Sequence, residues 1–190
     1  MMKNILIWSI SLAFCSTLWA QKIEKEVRIE SSEVNEAARK MVQNVFPKSK
    51  IYWVLETNQD GKTIEAKLKY DRTPYSIEFQ LDGELIDIEK EVKFKEIASA
   101  KRSLIQSTFV RDFKKYAIQK VQVQYTDSQI TLDQLKVEDG VKSEFISGYE
   151  ITVFGKTADS HASYEYAFDE EGILKGRLKV LNDNSDNLFY

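Results

Sequence analysis

The chain has 190 residues, of which 27 are basic and 30 acidic, giving a net charge of −3. A mildly negative balance with no block of lysine and arginine excludes a nucleic-acid binder, whose phosphates demand clustered cations. One cysteine and one histidine are too few for a zinc site or a cysteine–histidine nucleophile, so no metal or cofactor is expected.

The sequence opens with Met1-Met2-Lys3-Asn4, continues through an apolar run from Ile5 to Phe14, and reaches Ala20 just before Gln21-Lys22. A charged start, a short apolar core and a small residue before a polar one make an export signal, with cleavage near Ala20 and a periplasmic or secreted product. The run is well short of the ~20 residues that cross a bilayer, so no stable membrane anchor is expected. Phe14 is too large for the position before a lipidated cysteine, which argues against an anchor on Cys15. Removing residues 1–20 also removes that cysteine, the only one. Stability must then come from burying apolar surface rather than from disulfides.

Residues 21–30 read as a lead. Ser31–Phe46 reads as a helix, because Val34, Ala37, Ala38, Met41, Val42, Val45 and Phe46 recur on one stripe. Ser31 or Ser32 can cap it and Pro47 stops it. Four extended segments follow. Ile51, Trp53 and Leu55 share one face of the first; Ile64, Ala66, Leu68 and Tyr70 alternate with Glu65, Lys67 and Lys69 in the second. Tyr75, Ile77, Phe79 and Leu81 alternate with Ser76, Glu78 and Gln80 in the third, and Asp82-Gly83 turns into Glu84–Val92. Period-two alternation between glycine-containing turns is the pattern of an antiparallel sheet with one buried face.

The order then repeats. Lys101–Phe113 reads as a second helix, and strands are expected at Ile118–Tyr125, Tyr149–Phe154, Ser163–Phe168 and Ile173–Leu181, with an acid–glycine turn at Glu171-Gly172. The expected fold class is α+β: two tandem units, each a helix packed on a four-stranded antiparallel sheet, at 31–92 and 93–181, followed by a tail at 182–190. The second unit carries an insert near 126–148 that reads as a long hairpin arm.

An exported chain with these units resembles the PepSY-like, β-lactamase-inhibitor-protein-like periplasmic proteins. The matching stretches are Val45-Phe46-Pro47, Ile51–Glu56, Ile77–Leu85 and Tyr164–Gly172. The resemblance implies that the two sheets join into one curved surface backed by helices, and that the protein binds or inhibits a protein partner. The second unit departs from it, with Phe113-Lys114 in place of Phe-Pro, no tryptophan, and the insert.

No catalytic centre is expected. His161 lies beside Asp159 and Ser160, and adjacent residues do not reach the relay geometry of nucleophile, base and orienter. Carboxylates that alternate with lysine on strands are expected to stay solvated, unlike the paired acids of a hydrolase. The candidate binding residues lie opposite the apolar strand face: Tyr52, Lys67, Lys69, Glu78, Gln80, Gln122, Gln124, Glu150, Phe154 and Glu165. The favoured reading is a non-catalytic binder of an envelope or secreted protein. The alternative is a carrier or sensor of a peptide, glycan or lipid fragment, which would need an apolar pocket.

Overall fold

The computed structural model describes residues 21–22, 25–58, 61–126, 146–157 and 161–180. The expected export signal, most of the 126–148 insert, Asp159-Ser160 and the C-terminal tail lie outside the described residues.

In chain order the elements begin with β1 (Gln21–Lys22) and β2 (Lys25–Ile29), a short 3-10 turn, and α1 (Glu36–Val45). Then come β3 (Ile51–Thr57), β4 (Lys62–Tyr70), β5 (Thr73–Phe79) and β6 (Leu85–Glu91). A second 3-10 turn leads to α2 (Ser99–Asp112), β7 (Lys115–Tyr125), β8 (Gly148–Lys156), β9 (His161–Asp169) and β10 (Leu174–Val180). The first helix starts later than its apolar stripe suggests. Ser31–Glu33 forms the 3-10 turn, and Asn35, not Ser31 or Ser32, caps α1 by accepting the Ala37 N–H at 2.9 Å. Both acid–glycine turns are present, and Gly83 and Gly172 supply the positive φ, 93° and 84°, that these tight reversals need.

The expected division into two units, each a helix on its own four-stranded sheet, is corrected by the pairing. All ten strands among the described residues form one sheet, in the order β1-β10-β9-β8-β7-β6-β5-β4-β3-β2. β6 pairs antiparallel with β7, Ile88 opposite Tyr125 and Glu91 opposite Gln122, so no sheet edge separates the halves. Below that seam the core is continuous: Phe46, Trp53, Ile77, Ile88, Phe109, Tyr125, Tyr166 and Phe168 belong to one buried cluster fed by both helices. The physical reason is edge satisfaction. A free edge on β6 or β7 would leave a row of unpaired backbone groups, and joining the two edges removes it. The 21–30 lead also contributes strands at both ends of the sheet, which its charged composition did not announce.

Those two strands show how strongly the sheet is bent. β1 runs parallel to β10, whereas β2 pairs with β3 at the opposite edge. Only two residues separate β1 from β2, and three steps of chain span at most ~11 Å. Ten strands laid flat at ~4.8 Å spacing would hold those edges roughly 43 Å apart. The sheet therefore curls until its two edges approach each other at one end. Two helices with their side chains are too bulky for the inside of such a curl, so they pack on its outer face. The inner face is left to the alternate, mostly polar residues of each strand.

The outer layer is fastened at both helices. Phe46 meets Tyr70 and Tyr75 at ring distances of 5.3 and 5.5 Å, and Phe109 meets Tyr166 edge-on at 5.1 Å. At the end of α2, Asp112 accepts hydrogen bonds from Tyr166 Oη at 3.0 Å and Arg177 Nη1 at 2.9 Å. A carboxylate at a helix C-terminus opposes the dipole. Burial also disfavours its charge, but hydrogen bonds from Arg111 and Tyr166 and the charge of Arg177 hold it below the ordinary carboxylate range.

Candidate binding face

Strand register decides which side chains share the inner face. Tyr52 stands opposite Lys67, Lys67 opposite Ser76, and Ser76 opposite Glu89, which in turn faces Gln124. The adjacent row contains Arg28, Val54, Glu65, Glu78 and Asp87, one from each strand from β2 to β6. Further along, Glu91 faces Gln122 and Gln122 faces Glu150, while Thr152 faces Glu165 and Phe154 faces Ser163. The expected residues Tyr52, Lys67, Lys69, Glu78, Gln122, Gln124, Glu150, Phe154 and Glu165 thus stand on one surface. Gln80 lies just beyond β5, exposed in the turn before Gly83.

The face has a buried floor and an exposed rim. Val54 is 0% exposed and Gln122 7%, although neither lies on the helix side of the sheet. Arg28, Lys69, Lys120 and Phe154 remain exposed around them. Lys67 explains how Val54 is covered. From β4 its ammonium donates to both oxygens of Glu26 on β2, at 3.0 Å each, and lies 3.3 Å from Glu65. A link from β4 to β2 must cross β3, so the lysine stem and its two carboxylates roof Val54.

The acids here are not the solvated carboxylates expected from their alternation with lysine. Burial pushes Glu65 up to about 7, with the Lys67 charge opposing and Glu26 and Glu56 adding to the shift. Lys67 itself stays charged: burial works against it, but Glu65 and Glu26 raise it above the ordinary lysine value. Its charge is shared between two acids, so Glu65 is left only partly neutralised. Asp87 is pushed up to about 7 by burial and then by Glu78, its direct neighbour on β5. Glu89 rises to about 7 by burial and the nearby Asp87, opposed by a hydrogen bond from Gln124 and by the charge of Lys120. That bond is 2.9 Å, and Gln122 Nε2 donates to the other Glu89 oxygen at 2.5 Å.

This chemistry narrows what the face can do. Glu26, Glu56 and Glu65 bring three oxygens within 4.8 Å of one another, a spacing that could hold a metal ion. Lys67 already contacts Glu26 and Glu65 there, and serves as the cation of that group. A two-carboxylate hydrolase needs one acid that keeps its proton beside one that does not. Glu65 and Glu26 are close neighbours here, but Lys67 holds both and the Ser76 hydroxyl donates to Glu65. Their oxygens are committed to holding charge in place. His161 stacks on Phe154 with ring centroids 6.3 Å apart; its neighbours Asp159 and Ser160 lie outside the described residues.

Two aromatics punctuate the polar surface. Tyr52 has Arg28 at 5.0 Å and Lys50 at 4.8 Å from its ring centroid, two cation–π pairings. Phe154 stays 43% exposed near the far side. Sequence reading missed Glu26, Asp87 and Glu89 as members of this face. The signal for Asp87 and Glu89 was present in the alternation of Asp87, Glu89 and Glu91 with Ile86, Ile88 and Lys90. Glu26 was hidden because nothing in the lead announced a strand.

A curled antiparallel sheet with helices on its outer face and a recessed, charged inner face defines a scaffold that presents that inner surface. Similar solved structures include a DUF2874 family protein from Bacteroides ovatus ATCC 8483, 13% identical, with a TM-score of 0.51 over 82% of this chain and 94% of that one. A protein from Bacteroides eggerthii DSM 20697, described provisionally as periplasmic, gives 0.50 at 10% identity over 77% and 88%. A BLIP-like protein from Bacteroides fragilis NCTC 9343 gives 0.49 at 14% identity over 80% and 90%. These identities speak to the fold alone. No family model and no curated protein matches the chain.

Proposed function

We propose that the chain is an exported, non-catalytic binding protein that grips a protein partner on its inner sheet face. The observation that carries this is the half-desolvated polar face itself: half-buried acids, Gln124 and Lys67 around the buried Gln122 and Val54, inside an exposed rim bearing Phe154. Polar groups held out of water on a recessed surface favour a partner that supplies the missing hydrogen bonds and charge, and aromatic side chains are common anchors of such contacts. The middle of the described face is lined by carboxylates, which suits a charged partner better than a lipid fragment in an apolar pocket. Export rests on the N-terminal pattern; no described helix is long and apolar enough to cross a membrane. The likeness to PepSY-like and inhibitor-like proteins rests on the sequence motifs and agrees with this reading.

The test is a pull-down from envelope extract with the wild-type protein, a Tyr52→Ala/Phe154→Ala variant and a deletion of residues 128–146. A partner retained by the wild type and lost on the double variant supports the face. One lost only on the deletion moves the site to the insert. Retention by all three proteins overturns the proposal.

A further inference from the structure

The two halves of the inner face satisfy their acids differently. On the β2–β4 side Lys67 neutralises Glu26 and Glu65. On the β5–β7 side Glu78 and Asp87 stand directly opposite each other, with Glu89 beside Asp87 on the same face of β6. Like charges directly opposite across strands repel. Among the described residues no basic side chain lies within ion-pairing distance of Glu78, Asp87 or Glu89. Gln122 adds an independent observation. It is 7% exposed, its Nε2 is held by Glu89, and its Oε1 is a buried acceptor with no donor. Reversing the amide would set its oxygen against the carboxylate, so the orphan is an acceptor. An orphaned buried acceptor costs about 1–3 kcal/mol unless a donor reaches it.

Lys120 stands on this side of the face too, and its charge favours an ionised Glu89, but it makes no ion pair with Glu78, Asp87 or Glu89. What this half lacks is a cation that also donates hydrogen bonds to these acids. A bare metal ion is a poor match. Among the described residues only Glu26, Glu56 and Glu65 bring three carboxylates within 4.8 Å, and Glu78, Asp87 and Glu89 do not converge that closely. A wider head group with several N–H donors spans such a set, as Lys67 does on the other half and as a guanidinium does with its five donors.

We propose that this half of the face receives an arginine or lysine side chain of the protein partner, its head group seated among Glu78, Asp87, Glu89 and the amide oxygen of Gln122. Glu78 and Asp87 are half-buried, while Gln122 lies deeper, beside Glu89, and holds the unpartnered acceptor. This rests on the binding-face reading above and gives the partner its chemistry. The raised Asp87 and Glu89 carboxyls add a sign: they ionise as pH rises through about 7, so a cationic side chain is held more tightly above that pH than below it.

The test uses fluorescein-labelled hexa-arginine and hexa-lysine peptides, with a hexa-citrulline peptide as the neutral isostere, titrated by anisotropy at fixed ionic strength. Binding of the basic peptides but not the citrulline one is expected, weakening from pH 8 to pH 6. Glu78→Gln/Asp87→Asn should lower affinity about tenfold or more, whereas Glu33→Gln/Glu36→Gln, which removes the same charge from the outer layer, should change it less than about twofold. Gln122→Met, which fills the same space without the acceptor, should lower it severalfold. Equal losses from the two double variants would reduce the effect to net charge and overturn the seat. So would an unchanged Gln122→Met, equal binding of citrulline, or calcium binding that displaces the peptide. If the peptides fail while the envelope partner is still lost on Tyr52→Ala/Phe154→Ala, the basic occupant falls and the binding face stands.

Discussion

Asp87 shows what a single residue costs when the face keeps it ionised. Its carboxyl has a folded value of about 7 against an ordinary value of 3.8. Below about pH 4 the group is protonated in both folded and unfolded chains, and it makes no difference to stability. Between about 4 and 7 the folded chain holds more protons than the unfolded one, so stability falls as pH rises. Glu65 and Glu89 act in the same direction over nearly the same window. Asp112 acts oppositely, since its folded value is lowered: its contribution is present above the unfolded value and lost as pH falls through the folded one. The protein is therefore expected to be more stable at pH 5 than at pH 8 by urea denaturation. Asp87→Asn should raise stability at pH 8 by on the order of 1–3 kcal/mol and flatten the slope between the two. A slope unchanged by Asp87→Asn would mean that this carboxyl titrates normally. None of this was visible in the sequence, where Asp87 is one acid among 30 acidic residues. Its burial depends on the curl of the sheet, and no local pattern encodes that.

At the scale of elements, the edge strand β2 depends on one side chain from two strands away. Lys67 reaches over β3 to Glu26, so β2 is held by its ladder to β3 and by this strap. An ion pair out of water is weak evidence of net stabilisation, but removing one partner leaves the other buried without compensation. Lys67→Met is thus expected to destabilise the fold by roughly 3 kcal/mol, and to speed amide exchange in 25–29 beyond any change in β5 or β6. The double variant Lys67→Met/Glu26→Gln should recover much of that loss. Uniform acceleration of exchange across the sheet would show that Lys67 supports the face as a whole and does not tether the edge. Eight of the ten strands were legible, because alternation in segments such as Ile64–Tyr70 and Tyr75–Leu81 is a strong local signal. β1 and β2 were not: Lys25-Glu26-Val27-Arg28-Ile29 has the charge of an edge strand and reads as linker. The helix stripes were legible through Ala38, Val42 and Val45, and through Ile105 and Phe109, all of which are buried. The first turn of α1 was misplaced because a 3-10 turn and an Asn35 cap compete with Ser31 and Ser32 just before them.

For the molecule as a whole, periodicity tells which face of a strand is apolar but not which strand lies beside it. Two helix-and-strand runs in sequence can fold as two sheets or as one, and the difference lies in the β6–β7 edge. In this fold Ile77, Ile88 and Tyr125 form a continuous apolar row across the seam, from the third strand of the first run to the first strand of the second. One core beneath one sheet should unfold as one cooperative unit. Trp53 is the only tryptophan after residue 20 and sits in the first run, whereas Phe109 belongs to α2 and packs on Tyr166 and Phe168 in the second. Phe109→Leu trims the core far along the chain from Trp53 and should cost roughly 1–2 kcal/mol. If the sheet is one folding unit, the urea midpoint read by Trp53 fluorescence must fall by the same amount as the midpoint read by far-ultraviolet circular dichroism. Two independently stable halves would instead leave the tryptophan midpoint in place while circular dichroism develops a second, earlier transition. The outcome also bears on binding. The inner face draws Glu65 and Glu78 from one run and Gln122 and Glu150 from the other, so a partner seated across the seam would stabilise both runs together. Its binding would then raise the tryptophan midpoint and the circular dichroism midpoint in step.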